Sequence, residues 1–284
     1  MAAIPGARLS AGLLMLMLIQ ATTGLLLPGQ YRDVDWIKAT WVGNDWVTLL
    51  VGVPLLLAGI VLASRRSARG LLLWLGALGY AAYNYAFYLF GAALNAFFLL
   101  YVAAVVLAAV TLIVALAHLD VAGLTHAFPP ATPVRMIGGA LVSIGIGLAA
   151  VWIAMWAAYV FAGRPTPVEP EAFQVVAALD LAVMVPAVAV GGILLWRRQR
   201  WGYVIAAIAS IQGALYLLVL SVNSIVAIRR GLVTAPGELP IWGTLMLITS
   251  GVVVALLANV GPNVRLRKGG DRFDSDSSPS EARS

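Results

Sequence analysis

Asp180 sits inside an apolar run, VVAALDLAVMVP, and is the one charged residue between Glu171 and Arg197. A carboxylate in such surroundings either binds a cation or proton in a pocket, or is paired with a neighbour or a water. A second polar group of residues lies in YNYAFYLFGAALN. Tyr80, Asn84 and Tyr88 recur every four residues and share one helical face, with Tyr83 at its flank. That face is a candidate aromatic, hydrogen-bonding wall for a ligand. The competing reading is an interfacial aromatic belt with one interhelical hydrogen bond, which accounts for Tyr88 but not for Tyr80 near the middle of its segment. Gln212, Tyr216 and Asn223 form a similar face further on. Asp45 belongs to YRDVDWIKATWVGNDWV, a stretch with Asp33, Asp35, Trp36, Trp41 and Trp46. It reads as the N-cap of the apolar run that follows, or as part of a tryptophan-rich lid over a pocket. Asn95 reads as a cap as well. Gln20, Thr22 and Thr23 are weaker candidates. Trp152, Trp156 and Tyr159 fit an aromatic belt or core better than a ligand cage, and Gly139, Ser143 and Gly147 a packing face.

The elements that carry these residues follow from composition. Of 284 residues, 62% are hydrophobic and 11% charged, whereas soluble domains run near one half and one quarter. One soluble core cannot hide that much apolar surface. The expected class is all-α, a polytopic transmembrane bundle of eight spans at 9–27, 46–63, 71–90, 95–117, 136–161, 174–196, 201–228 and 241–259. Pro28-Gly29, Arg65-Arg66, Pro129-Pro130, Pro165, Arg197-Arg198 and Pro240 punctuate them. With the N-terminus inside, 13 of the 18 Lys and Arg fall on the inner side. The positive-inside rule then puts both termini in the cytoplasm. The first span lacks a small-x-small cleavage site and is expected to stay uncleaved. Residues 1–262 form the membrane domain, with possible halves 1–120 and 133–262. The Ser- and Asp-rich segment 263–284 reads as a disordered cytoplasmic tail.

Several chemistries are excluded. The chain has no cysteine, which removes disulfides, thiol redox chemistry, iron–sulfur clusters and Cys-type zinc sites. His118 and His126 fall in a predicted loop, so they cannot hold a haem within the bilayer. Lys38 and Lys268 fall outside the predicted spans, which excludes an intramembrane retinal Schiff base. Phosphate-binding, dinucleotide, nucleophile-elbow and HExxH motifs are missing. No catalytic residue, metal or cofactor is expected, and the net charge of +6 is assigned to membrane orientation, not to nucleic acid.

Sliding the sequence by 132 residues places Val51, Val53, Pro54, Gly59, Leu62, Arg65, Arg66 and Gly70 on Val183, Val185, Pro186, Gly191, Leu194, Arg197, Arg198 and Gly202. Tyr80, Asn84 and Gly91 then fall on Gln212, Tyr216 and Asn223. The Pro, Gly and Arg matches suggest a 4+4 internal repeat with parallel halves, an arrangement found among transporters. The alternative is convergence of two apolar hairpins. The strings GNDWVTLLVGVP, YNYAFYLFGAALN and DLAVMVP…LLWRRQRWGY, within residues 40–105 and 175–220, resemble those of an uncharacterised family of multi-spanning bacterial membrane proteins. The resemblance implies a bacterial cytoplasmic membrane and carries over no activity.

The candidate ligand residues are thus Asp180, Asn84, Tyr80, Tyr88, Gln212, Tyr216, Asn223 and Asp45. Most map to the outer half of the membrane, while the inner half offers little beyond Ser10, Thr111, Ser143, Thr249, Ser250 and Asn259. That distribution fits an outward vestibule between spans 2, 3, 6 and 7, and argues against a hydrophilic pore. The leading expectation is a carrier or sensor that binds a small molecule or lipid. The alternatives are an accessory subunit held to a membrane-protein partner or to further copies of itself, and a membrane enzyme using Asp45 and Asp180 as an acid/base pair.

Overall fold

The structure, a computed structural model, describes residues 6–166, 168–232 and 238–261. The predicted tail at 263–284 lies outside the described residues. The elements are α1 (Ala7–Leu26), α2 (Asp35–Val47), α3 (Val53–Ser64), α4 (Ala68–Gly91), α5 (Phe98–Ala117), α6 (Val121–His126), α7 (Val134–Ala162), α8 (Pro170–Leu179), α9 (Val185–Trp196), α10 (Arg200–Arg229) and α11 (Leu239–Ala258). No strand occurs among the described residues. Seven helical rods are long and apolar enough to cross a membrane: α1, α2–α3, α5, α7, α8–α9, α10 and α11. This is the arrangement of a multi-pass membrane protein. At 24 residues α4 is as long as several of these rods, but its second half carries four tyrosines and an asparagine, and it is buried along most of its length.

Two rods contain a wide turn. The π-helical turn Thr48–Gly52 joins α2 to α3, and Asp180–Met184 joins α8 to α9. The cause is in the sequence. Pro54 and Pro186 have no N–H for the helical ladder, and their rings crowd the preceding turn. Widening that turn keeps the rod continuous.

α3 packs along α4 and α9 along α10; α5 lies against α4 and α11 against α10. α1 flanks the α2–α3 rod as α7 flanks α9. α2 also leans on α10, and α8 on α4, so the two groups of helices clasp each other. Gly59 allows the first hairpin to close, because a Cβ there would lie 2.7 Å from the Trp74 Cα. At Gly191 a Cβ would lie 3.0 Å from the Ala206 nitrogen. Both hairpins turn by the same device. Ser67 N–H bonds Leu62 O (3.1 Å) and Arg66 N–H bonds Ala63 O (2.8 Å), while Gln199 N–H bonds Leu194 O and Arg198 N–H bonds Leu195 O, both at 2.9 Å. These are Schellman turns in which arginine occupies the left-handed position usually given to glycine, with φ 61° at Arg66 and 55° at Arg198.

Three expectations are corrected. The second span begins at Asp35, not at 46. Asp35 and Lys38 look like loop residues, but they pair at 3.2 Å on the first turns of α2, while Ala39, Trp41, Val42, Asn44 and Asp45 on the same helix are buried. Asp45 is therefore no N-cap, since helix runs through it on both sides. On α7 the buried packing face is Gly138, Leu141 and Gly145, set against Gly192 and Ala189 of α9; of the expected residues, Gly139 meets the Trp196 ring, 3.2 Å from a Cβ position. Gly147 has nothing within 4 Å of a Cβ position. Asn95 forms its cap-like bond just outside α5, its Oδ1 accepting from Phe97 N–H at 2.8 Å.

Candidate functional site

Asp45 is fully buried where α1, α2 and α4 meet. Its Oδ1 accepts from Gln20 Nε2 and from the Tyr88 hydroxyl, both at 2.8 Å, and its Oδ2 accepts from the Tyr31 hydroxyl at 2.7 Å. Gln20 links these groups further. Its Nε2 also donates to the Tyr31 oxygen (3.0 Å), and its Oε1 accepts from the Tyr85 hydroxyl (3.0 Å). Tyr31 lies between α1 and α2. Burial first, then the Asp45 carboxylate, raises its pKa far above that of an ordinary phenol, so it stays an O–H donor. Gly24 faces the carboxylate, and a side chain there would collide with Asp45 and the Tyr31 hydroxyl. Aromatic rings wall the centre: Trp41 stacks on Tyr88 at 4.8 Å, and Tyr88 on Tyr101 at 5.1 Å.

Beside this centre lie further polar atoms. The Tyr101 hydroxyl, Asn95 Nδ2, and both Gln30 side-chain polar atoms are buried and make no well-formed hydrogen bond, although Tyr101 lies within reach of Asn95, Gln30 and Tyr31. Tyr101 is 1% exposed and Asn95 8%. Unpaired polar groups inside a membrane protein cost free energy and normally face a cavity, a water or a ligand.

Asp180 forms a second centre on the π turn between α8 and α9, also fully buried. Its Oδ1 accepts from the Tyr83 hydroxyl of α4. Its Oδ2 accepts from Trp152 Nε1 of α7 at 2.8 Å and from the Tyr216 hydroxyl of α10 at 3.3 Å. The rings of Tyr83 and Tyr216 meet edge to face at 5.2 Å. Among the described residues no Lys, Arg or His pairs with either carboxylate, and no acidic or histidine group could hold a metal ion.

The predicted residues are thus partly brought together. Tyr88 joins Asp45. Tyr80 and Asn84 reach Thr48, the Tyr80 hydroxyl lying 3.2 Å and Asn84 Nδ2 3.3 Å from its Oγ1. Tyr216 joins Asp180. Gln212 and Asn223 join neither centre: Gln212 Nε2 and Asn223 Oδ1 are buried without a partner, Asn223 pressed against Gly43 of α2 and Gln212 beside Gly79 of α4. Asp45 and Asp180 share no hydrogen-bonding residue. Their α4 donors, Tyr88 and Tyr83, stand five residues apart and so project about 140° apart around the helix. The residues missed are Thr48, Tyr31 and Tyr85, with Trp152 read as belt or core in preference to a ligand cage. The spacing of Asp45 and Thr48, three residues apart along the α2–α3 rod, is the signal that could have found Thr48.

Two clefts open on the surface, and none of the eight candidate residues lines either. One, about 730 Å³, lies at the α9–α10 turn. The other, about 320 Å³, is an apolar groove between the α2–α3 rod and α10, with Trp46, Leu50, Val222 and Arg229 in its walls. Comparison with known protein families, curated proteins and solved structures finds no match.

Proposed function

We propose that this chain is a membrane carrier or sensor for a small molecule or lipid, whose ligand reaches the buried carboxylates from the outer ends of α2, α4, α8 and α10. The observation that carries this reading is the buried cluster of Gln30, Asn95 and Tyr101, whose polar groups make no well-formed hydrogen bond, next to the Tyr31–Asp45 pair. Two buried carboxylates held only by neutral donors add to it. A bilayer protein keeps such groups where they act, because each is costly to leave in place. In this reading α4 is the eighth span, both termini are cytoplasmic, and the membrane is a bacterial inner membrane.

The two clasped groups of helices are then parallel halves of an internal repeat. Supporting this, the π turns, the left-handed arginines and the close glycines recur at the same offset of 132 residues: Thr48–Gly52 with Asp180–Met184, Arg66 with Arg198, Gly59 with Gly191.

The test is native mass spectrometry of the chain in lipid nanodiscs, comparing the wild type with Asp180→Asn. A defined adduct on the wild type, absent from a folded variant, supports the reading and gives the ligand's class. No adduct on either favours an accessory subunit. That second reading has its own support: each oxygen of Asp45 and Asp180 is already bonded within the chain. Co-purification of a membrane partner, or self-association, is its test.

A further inference from the structure

The cleft at the α9–α10 turn lies at the opposite end of α9 from Asp180, and its chemistry is different. Arg197, Arg198 and Arg200 line it, with Leu194, Trp201 and Ile205 as its apolar wall. All three arginines are exposed, and none has a carboxylate partner among the described residues. Arg198 is held at φ 55° by the Schellman turn and donates one Nη1–H to Pro130 O at 3.3 Å. The corresponding turn of the other hairpin keeps two guanidinium groups free among the described residues, Arg65 and Arg66, but its remaining polar groups are occupied. There Ser67 Oγ caps α4 by accepting from Gly70 N–H at 3.2 Å, and Arg69 is occupied with Val260 O at 2.6 Å. At α10 the N-cap is Gln199, whose side chain makes no cap bond. Three guanidinium groups beside an uncapped helix start form a concentrated positive site with free donors. Arginine suits phosphate oxygens in particular, because its planar fork matches their geometry.

We propose that this cleft binds a phosphate group, with the headgroup of an anionic phospholipid as its natural form. Leu194, Ile205 and the half-exposed Trp201 supply the apolar wall an acyl chain needs, as in basic pockets between membrane helices. The site is independent of the carboxylate centres, so its failure leaves the proposed carrier or sensor function standing.

The test uses the full chain in nanodiscs of phosphatidylcholine with a minor fraction of phosphatidylglycerol, reading retained lipid by native mass spectrometry. The wild type retains phosphatidylglycerol in preference to phosphatidylcholine. R197Q/R200Q weakens that preference roughly twenty-five-fold, about fivefold for each arginine. R65Q/R66Q removes the same charge from the other hairpin turn and leaves the preference within about twofold of the wild type. If R197Q/R200Q does not fold, R200Q alone gives the fivefold step. Absence of a preference in the wild type overturns the proposal. So does an equal loss in R65Q/R66Q, since the attraction would then belong to the whole basic end. Added inorganic phosphate separates the sources. Displacement of the lipid with gain of phosphate assigns the site to free phosphate; persistence of the lipid assigns it to the headgroup. Both keep phosphate as the ligand.

Discussion

Removing the hydroxyl of Tyr31 should destabilise the fold far more than removing that of Tyr88, although both donate to Asp45. The difference follows from what each change strands. In Tyr88→Phe, Asp45 Oδ1 keeps its 2.8 Å bond from Gln20. The Phe ring keeps the stacking on Trp41 at 4.8 Å and on Tyr101 at 5.1 Å. The loss is the bond to Asp45 and a longer one to the Trp41 carbonyl at 3.3 Å, which lies within α2, about 1 kcal/mol or less together. In Tyr31→Phe, Asp45 Oδ2 loses its one donor, and one N–H of Gln20 loses the Tyr31 oxygen at 3.0 Å. Two buried groups are left without partners, at about 1.5 kcal/mol each, or roughly 3 kcal/mol in all. The gap of about 2 kcal/mol is roughly thirtyfold in the unfolding equilibrium. Reversible unfolding in mixed dodecyl maltoside and dodecyl sulfate micelles, followed by helical circular dichroism, reads it directly. Equal costs, or a larger cost for Tyr88→Phe, would refute the idea that the count of stranded groups governs this centre.

The same logic applies at Asp180. Tyr83→Phe leaves Oδ1 bare and should cost about 2 kcal/mol, while Tyr216→Phe leaves Oδ2 its 2.8 Å Trp152 bond and should cost under about 1 kcal/mol in the same unfolding assay. Gly59→Ala forces a methyl to within 2.7 Å of the Trp74 Cα and should cost about 1–3 kcal/mol, whereas Gly147→Ala meets nothing within 4 Å and should be neutral or mildly stabilising. Because the sequence has no cysteine, single cysteines report sidedness. In intact cells a membrane-impermeant maleimide should label Gly29→Cys but neither Arg65→Cys nor Gln199→Cys, all three at exposed positions. Labelling of Arg65→Cys and Gln199→Cys from opposite sides would end the model of parallel halves.

The helices were legible because an apolar run of about 20 residues has few other fates. The start of α2 was not, because Asp33, Asp35, Lys38 and Asp45 resemble a charged loop until the buried Trp41 and Asn44 reveal a helix with one wet end. Asp180 stood out from composition alone, but its partners did not. Tyr83 is 97 residues away and Trp152 28, and only the packing of α4 and α7 against the α8–α9 rod selects them. The offset of 132 residues makes the point more sharply. Under it Thr48 corresponds to Asp180 and Asn84 to Tyr216, and each pair is in contact: Asn84 Nδ2 with Thr48 Oγ1 at 3.3 Å, the Tyr216 hydroxyl with Asp180 Oδ2 at 3.3 Å. Backbone geometry therefore keeps one interhelical polar contact in both groups of helices, just before the proline of each rod. The side chains assigned to it differ, neutral in one and carboxylate in the other. The first group instead places its carboxylate at Asp45, three residues nearer the start of the rod, where the second has Ala177. The two carboxylates therefore stand at different points along their rods and on different sides of α4, so the two groups of helices agree in backbone geometry but not in where they hold charge.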